Sequence, residues 1–201
     1  MLVQAVWLLV FVSGGYAETT VAVPNGDFKL PDISPATYQR ELVPEHWTQT
    51  VVTGLVAYGV GGDKESLEGQ CVYAGGNNVS GDATGNFAQT DVGASVHAVG
   101  DVYMLTFEVG GENPVGEGSW TAKLLVDGNE VASSEPVIVS GAAPWTTQSL
   151  AWSANTMGVL GVQFDYAILS FDNTNLLLDN VSLSYVPKPV TSEKIAVPEK
   201  K

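Results

Sequence analysis

The chain has 201 residues, with 22 acidic against 8 basic side chains and a formal net charge of −14. Its hydrophobic content of 45% is enough to bury a sizeable core and too high for a disordered acidic chain. So acidic a surface would repel phosphate backbones and anionic lipid headgroups, and no stripe of basic residues offsets it. Nucleic acid is therefore excluded as a partner.

The first segment is typical of an export signal. Residues 2–12 form an apolar run that is too short to span a bilayer, which needs about 20 residues. Small residues at Gly15 and Ala17 suit cleavage before Glu18, although no Lys or Arg precedes the run. We therefore expect a secreted protein, in the medium or at the cell surface, and the alternative is a buried N-terminal strand. No later run is long enough to span a membrane.

The chain divides into three predicted parts. Residues 1–17 are the signal peptide, residues 18–186 form one domain, and residues 187–201 form a flexible, proline-containing tail. Within the domain, residues 29–46 carry three prolines and are predicted to be an irregular crossing loop.

Strands are predicted throughout the domain, because Gly, Val and Thr recur where a helix would need Ala, Leu, Glu and Lys. The alternation is clearest in residues 101–110, where Tyr103, Leu105 and Phe107 share one face of the strand. Asp127-Gly128 predicts a tight hairpin turn. The predicted strands are 21–28, 48–58, 70–74, 86–90, 101–110, 119–126, 130–133, 137–139, 146–153, 159–170 and 176–186. So many short strands indicate an all-β sandwich.

Cys71 is the single cysteine of the chain, so an internal disulfide is ruled out. It lies within a short strand-like run, residues 70–74. We expect it to be a small buried hydrophobic residue and not a reactive thiol.

Four segments together resemble the galactose-binding-like jelly rolls. They are Val-Pro-Asn-Gly-Asp-Phe at 23–28, Trp47, Asp-Val-Tyr-Met-Leu-Thr-Phe at 101–107, and Leu-Asp-Asn-Val-Ser-Leu at 178–183. The likeness spans residues 22–186 and is to carbohydrate-binding modules of the family 4, 9 and 22 kind, and to exported bacterial domains found with PEP-CTERM sorting tails. It implies a jelly-roll β-sandwich of two antiparallel sheets in which the first and last strands pair. The chain departs from the pattern at Lys29, where the family usually has Glu, and its tail lacks the apolar anchor of a sorting signal.

Asp179 is a candidate metal ligand. It shares its period-two phase with Leu177 and Leu183, so it points inward if those residues face the core, and a lone buried carboxylate is costly. The resemblance implies a structural Ca²⁺ held by oxygen atoms of the first motif, with Asn25 and Asp27 as the partners of Asp179. Two alternatives stay open: the Lys29 ammonium neutralises Asp179, or Asp179 is exposed.

The resemblance also implies that aromatic rings stack on the C–H faces of a sugar while polar side chains bind its hydroxyl groups. Trp120 and Trp145 follow loops rich in small residues, which favours rings that stand clear of the core. The candidate carbohydrate-binding residues are Trp120, Trp145, Trp47, Tyr58 and Tyr73, with hydrogen bonds from Asn77, Asn78, Asp82, Asn86 and Gln89 unless these form a solvated turn.

Catalysis has little support in the sequence. His46 and His97 stand in no metal-ligand or nucleophile motif and are predicted to be structural. Gly-x-Ser-x-Gly does not occur, and the many acids define no pair suited to glycoside hydrolysis. We therefore expect a non-catalytic module that binds an extracellular glycan. The alternative is a structural protein of the cell surface or matrix that self-assembles through strand edges or its tail.

Overall fold

The computed structural model describes residues 17–33, 38–53, 57–61, 70–76, 83–112, 116–169 and 174–189. The strands in these ranges are β1 (Thr19–Val21), β2 (Tyr38–Arg40), β3 (Thr48–Thr53), β4 (Ala57–Gly61), β5 (Cys71–Gly76), β6 (Ala83–Gln89), β7 (Val102–Glu112), β8 (Glu117–Val126), β9 (Asn129–Ser133), β10 (Val137–Ser140), β11 (Thr146–Ser153), β12 (Leu160–Ile168) and β13 (Thr174–Val186). Within the described ranges, no helix has the length and apolar character needed to cross a membrane.

The strands form two antiparallel sheets packed face to face. The seven-stranded sheet has the order β11-β7-β13-β5-β4-β2, with β1 added beside β13. The six-stranded sheet has the order β10-β8-β12-β6-β3, with β9 added beside β8. Neighbours in both sheets are mostly distant in sequence, as expected when the chain crosses repeatedly between layers. The prediction of a jelly-roll β-sandwich is confirmed.

The two ends of the domain lie side by side. β1 pairs antiparallel with β13, and Val21 lies opposite Leu183. Just after β1, the backbone N–H of Val181 donates to the Gly26 carbonyl over 2.8 Å. A Cβ atom on Gly26 would lie 2.2 Å from the Val181 carbonyl oxygen, so only glycine permits this approach. The predicted pairing of the first and last strands is confirmed.

The core lies between the sheets and follows the predicted alternation. Tyr103, Leu105 and Phe107 are almost completely buried, while the intervening side chains of β7 are half-buried. Asp127 and Gly128 have φ angles of 50° and 75° and join β8 to β9. The predicted hairpin is therefore confirmed, since both turn residues adopt the left-handed conformation that such a turn requires.

Three strand predictions are corrected. Residues 21–28 do not form one strand, because β1 ends at Val21 and residues 24–27 form a turn. Residues 48–58 contain two strands, β3 and β4, which belong to different sheets. The predicted irregular loop 29–46 contains the short β2, which pairs with β4. β1 and β2 have only three residues each, and such short strands carry too few residues for a period to show.

The start of the predicted tail is attached to the sandwich. The backbone N–H of Lys188 donates to Asp101 Oδ1 over 2.9 Å, and Asp101 Oδ2 lies 2.7 Å from His97 Nδ1. Burial by itself would raise the pKa of Asp101, but the bonds from Lys188 and His97 outweigh it and hold that pKa below its ordinary value. His97 thus has a structural partner, as predicted. Residues 1–16 and 190–201, with most of the predicted signal and tail, lie outside the described residues.

Candidate functional site

A row of polar side chains crosses the outer face of the six-stranded sheet. Thr121 of β8 lies opposite Asp165 of β12, Asp165 lies opposite Asn86 of β6, and Asn86 lies opposite Thr50 of β3. Because successive side chains of a strand point to opposite faces, this row shares its strands with the core residues Trp120 and Phe164. The alternation that builds the core therefore also builds the row.

Thr121, Asp165 and Asn86 of this row line an open groove of about 330 Å³. The polar side chains that line it are Thr84, Asn86, Ser119, Thr121, Gln163 and Asp165. The exposed Val52 lies at one side of the groove. Hydroxyl, amide and carboxylate groups are thus presented on one surface, and together they can both donate and accept hydrogen bonds. We call this surface the polar groove.

Asp165 is held in place by its neighbours. Gln163 Nε2 donates to Asp165 Oδ1 over 2.6 Å, and Lys123 Nζ lies 2.9 Å from both Asp165 Oδ2 and Glu130 Oε2. The hydrogen bonds to Glu130 and Asp165 raise the pKa of Lys123, and the bond to Lys123 lowers the pKa of Glu130. These shifts favour the charged forms of Lys123 and Glu130 at neutral pH.

Tyr166 supports the groove from beneath. Its ring is 1% exposed, and its hydroxyl accepts a hydrogen bond of 3.0 Å from Gln49 Nε2. A Cβ atom on Gly85 would lie 2.2 Å from the Tyr166 hydroxyl, so the missing side chain makes room for the phenol. Burial raises the pKa of Tyr166 to about 12.

Trp120 and Trp47 are part of the core. Trp120 is 0% exposed and lies between Phe87 and Tyr166, with ring centroids 6.4 and 5.8 Å away. The prediction that its ring stands clear of the core is therefore wrong, because residue 120 falls on the inward phase of β8. Trp47 is 5% exposed, packs on Phe28 and donates from Nε1 to the Asn25 carbonyl over 3.0 Å. Both rings are buried and neither forms a stacking platform.

The other predicted aromatic residues are also away from the polar groove. Trp145 is half-buried on the outer face of the seven-stranded sheet, where its ring covers Gly110 and packs on a small cluster of Cys71, Tyr73 and Leu177. Tyr73 is 3% exposed and Cys71 is 0% exposed, which confirms the prediction of a buried cysteine. Tyr58 packs partly buried against Phe87. The predicted aromatic residues therefore share no common surface.

The predicted polar cluster is also divided. Asn86 lies in the polar groove, but Gln89 is 2% exposed and donates to the Pro24 carbonyl over 2.6 Å, so it is not available to a ligand. Asn77, Asn78 and Asp82 lie outside the described residues.

The side chains predicted to bind calcium are engaged in other contacts. Asn25 Oδ1 accepts from the Leu30 backbone N–H, and Asp27 Oδ2 lies 3.1 Å from Lys29 Nζ. Asp179 Oδ1 accepts from the backbone N–H of Asn180 over 2.7 Å. Among the described residues, no group of three or more acids, histidines and cysteines could hold a metal ion. A calcium site formed by Asn25, Asp27 and Asp179 therefore stays a prediction.

The prediction for Asp179 itself is partly corrected. At 1% exposed it is buried, so the alternative of an exposed carboxylate is wrong. It does not share a face with Leu183, however, because the register of β13 against β7 shifts between Asp179 and Ser182. Leu177 belongs to the cluster under Trp145, whereas Leu183 belongs to the main core. A β-bulge moves side chains to the opposite face, and the sequence pattern does not show it.

Sequence reasoning missed Thr121, Gln163 and Asp165. The signal that could have identified them was present, because Trp120 and Phe164 fix the inward phase of strands already predicted. Thr121, next to Trp120, and Gln163 and Asp165, on either side of Phe164, must therefore face outward. What the sequence did not show is that β6, β12 and β8 are neighbours, since they are separated by long stretches of chain.

The fold and its polar face define a jelly-roll β-sandwich with an open groove on one sheet. A cyclase from Fischerella sp. TAU is similar in structure, with a TM-score of 0.66 and 16% identity over 87% of this chain and 100% of that chain. A structure of a cyclase from Fischerella sp. TAU in complex with 4-(1H-indol-3-yl)butan-2-one has a TM-score of 0.65 and 16% identity over 85% of this chain and 99% of that chain. TmCBM61 in complex with β-1,4-galactotriose has a TM-score of 0.50 and 16% identity over 79% of this chain and 94% of that chain.

No protein-family model and no curated protein matches the chain by sequence. At such low identities the likeness to these solved structures shows the fold alone.

Proposed function

We propose that this protein is a secreted, non-catalytic module that binds an extracellular carbohydrate in the polar groove. The observation that carries the proposal is the row of Thr121, Asp165 and Asn86 across three neighbouring strands, open to solvent and backed by a rigid core. A sugar presents hydroxyl groups that each donate and accept hydrogen bonds. Amide, hydroxyl and carboxylate side chains on one surface satisfy both kinds of bond.

The binding surface is held in position before a ligand arrives. Asp165 is fixed by Gln163 and Lys123, and the buried Tyr166 supports the sheet beneath it. A surface ordered in advance loses little conformational entropy on binding. TmCBM61, whose structure contains β-1,4-galactotriose, offers a precedent for sugar binding on this fold.

The acid content of the groove favours binding without catalysis. Among the described residues that line it, Asp165 is the one acid, and it is tied to Lys123. Glycoside hydrolysis generally needs two carboxyl groups on opposite sides of the bond. The lack of catalysis is part of the proposal, because a structurally similar protein is a cyclase. Incubation of the protein with oligosaccharides, followed by detection of any products, tests it.

The binding proposal is tested with a glycan array that includes β-1,4-galactotriose, followed by calorimetry on the glycans that bind. Asn86→Ala and Gln163→Ala should each weaken binding about tenfold, because each removes hydrogen bonds to the ligand. Gln148→Ala and Thr147→Ala on β11 are the matched controls, since they change similar side chains on the other sheet. Binding that survives both groove substitutions would contradict the assignment of the site.

Export is proposed from residues 1–17 and is tested separately. The protein expressed with its first segment should appear outside the cytoplasm, with Glu18 as the first residue by mass spectrometry. Retention in the cytoplasm with residues 1–17 intact would contradict export.

Self-assembly is the second candidate function, and exposed apolar side chains at both edges of the six-stranded sheet favour it. Val51 and Val52 of β3 are 39% and 63% exposed, and Ile138 of β10 is 54% exposed. Unpaired strand edges with apolar side chains can pair with a second copy. Sedimentation velocity over a range of concentrations should then show association that Val52→Lys removes. A single monomeric species at every concentration would exclude it.

A further inference from the structure

We propose that the polar groove selects uncharged glycans and rejects those containing uronic acids, and that the pair Glu130 and Asp165 sets this selectivity by neutralising Lys123. This inference rests on the proposed function and names the substrate class of the same site. Its starting point is the ion cluster at the border of the groove, where one ammonium group contacts two carboxylates.

Lys123 is the basic group placed to meet an anionic sugar. It lies on the outward phase of β8, next to Thr121 and directly opposite Gln163, which lines the groove. Its ammonium group lies 2.9 Å from an oxygen of Glu130 and 2.9 Å from an oxygen of Asp165, and its side chain is 23% exposed. An ammonium group that already contacts two carboxylates binds a third carboxylate closely only if it loses one of those two contacts. The cluster of one cation and two anions thus carries a net negative charge.

The charge of the whole protein acts in the same direction. A formal charge of −14 creates a negative potential that disfavours the approach of an acidic polysaccharide. The local charge and the overall charge thus both weaken the binding of a uronic acid. The hydroxyl and amide groups of the groove can form hydrogen bonds with a neutral sugar. The cluster also supports binding of a neutral sugar, because the ion pair with Lys123 orients Asp165 as an acceptor for sugar hydroxyl groups.

The test compares two chains that differ only in charge. β-1,4-galactotriose and cellotetraose are each measured by calorimetry beside the same oligosaccharide oxidised to the uronic acid at C6. The unmodified protein should bind a neutral chain about tenfold more tightly than its oxidised counterpart, and the ratio should shrink as salt is added. The double variant Glu130→Gln/Asp165→Asn frees Lys123, so the oxidised chain should gain about tenfold relative to the neutral one.

A matched control separates the local cluster from the overall charge. Glu108→Gln/Glu112→Gln removes the same number of carboxylates from β7 on the other sheet and should leave the ratio unchanged. An equal shift in this control would overturn the role of Glu130 and Asp165. Equal or tighter binding of the oxidised chain by the unmodified protein would overturn the inference while the proposed function stands. If neither neutral chain nor any glycan of the array binds, the proposed function fails and this inference fails with it.

Discussion

The outer faces of the two sheets differ in what their strands present to solvent. On the six-stranded sheet, Thr121, Asp165 and Asn86 leave an open groove with a charged border. On the seven-stranded sheet, Cys71, Tyr73 and Leu177 form a second apolar cluster that Trp145 partly covers. One outer face is thus a polar surface supported by a core, and the other carries an additional layer of packing.

The comparison shows that a preceding loop rich in small residues does not predict an exposed aromatic ring in this chain. Trp120 follows a loop rich in small residues, as a binding residue would, yet its ring is in the core. Trp145 also follows such a loop, and its ring covers a glycine on the face opposite the groove. The rings pack within the two layers, and the proposed ligand contacts come from polar residues on one outer face.

The largest effect is expected at Trp120. Trp120→Ala should lower the free energy of unfolding by about 3–5 kcal/mol, because it leaves a large cavity between Phe87 and Tyr166. Thr121→Ala, at the neighbouring outward-facing position, should change the free energy of unfolding by less than about 0.5 kcal/mol. Urea unfolding measures both. If Trp120→Ala does not fold, the milder Trp120→Phe should still be clearly less stable than Thr121→Ala, and equal stability of these two would contradict the packing.

A smaller effect is expected at Trp145. Trp145→Ala should lower the free energy of unfolding by about 1–2 kcal/mol, because a half-buried ring leaves Tyr73 and Leu177 more exposed. Glycan binding in the polar groove should be unchanged, since the ring lies on the other sheet. Calorimetry with β-1,4-galactotriose or the best glycan of the array measures this. A loss of binding with unchanged stability would place the site at Trp145 instead.

The last effect concerns two buried tyrosines, Tyr166 and Tyr73, and at neutral pH it is the smallest of the three because it develops only in alkaline solution. Burial raises the pKa of Tyr166 to about 12 and also raises the pKa of Tyr73, where the positive charge of Arg40 partly opposes it. The unfolded chain loses these protons near pH 10 and the folded chain loses them later, so stability falls as the pH rises from 10 towards 12. Tyr166→Phe should remove about 2 kcal/mol of that fall, and Tyr73→Phe should remove less.

Ultraviolet absorbance of the phenolate together with urea unfolding at each pH follows this titration. Identical pH profiles for Tyr166→Phe and the unmodified protein would contradict the burial of this hydroxyl.

The sequence by itself determined which parts of the fold are regular. The alternation at Tyr103, Leu105 and Phe107 predicted an inward face, and Asp127-Gly128 predicted a hairpin, because both signals are local properties of the backbone. The resemblance across 22–186 added the pairing of the first and last strands, which β1 and β13 confirm. Of the predicted site residues that the structure describes, Asn86 lies in the polar groove.

Only the tertiary structure decided which strands are neighbours and which outward side chains share a surface. Thr121, Asp165 and Asn86 come from three separate parts of the chain and meet only because β8, β12 and β6 are adjacent. The bulge near Asp179 likewise places Leu177 and Leu183 on opposite faces of one strand. Pairing between distant strands is set by the packing of the whole sandwich, and a period-two pattern carries no information about the partner strand.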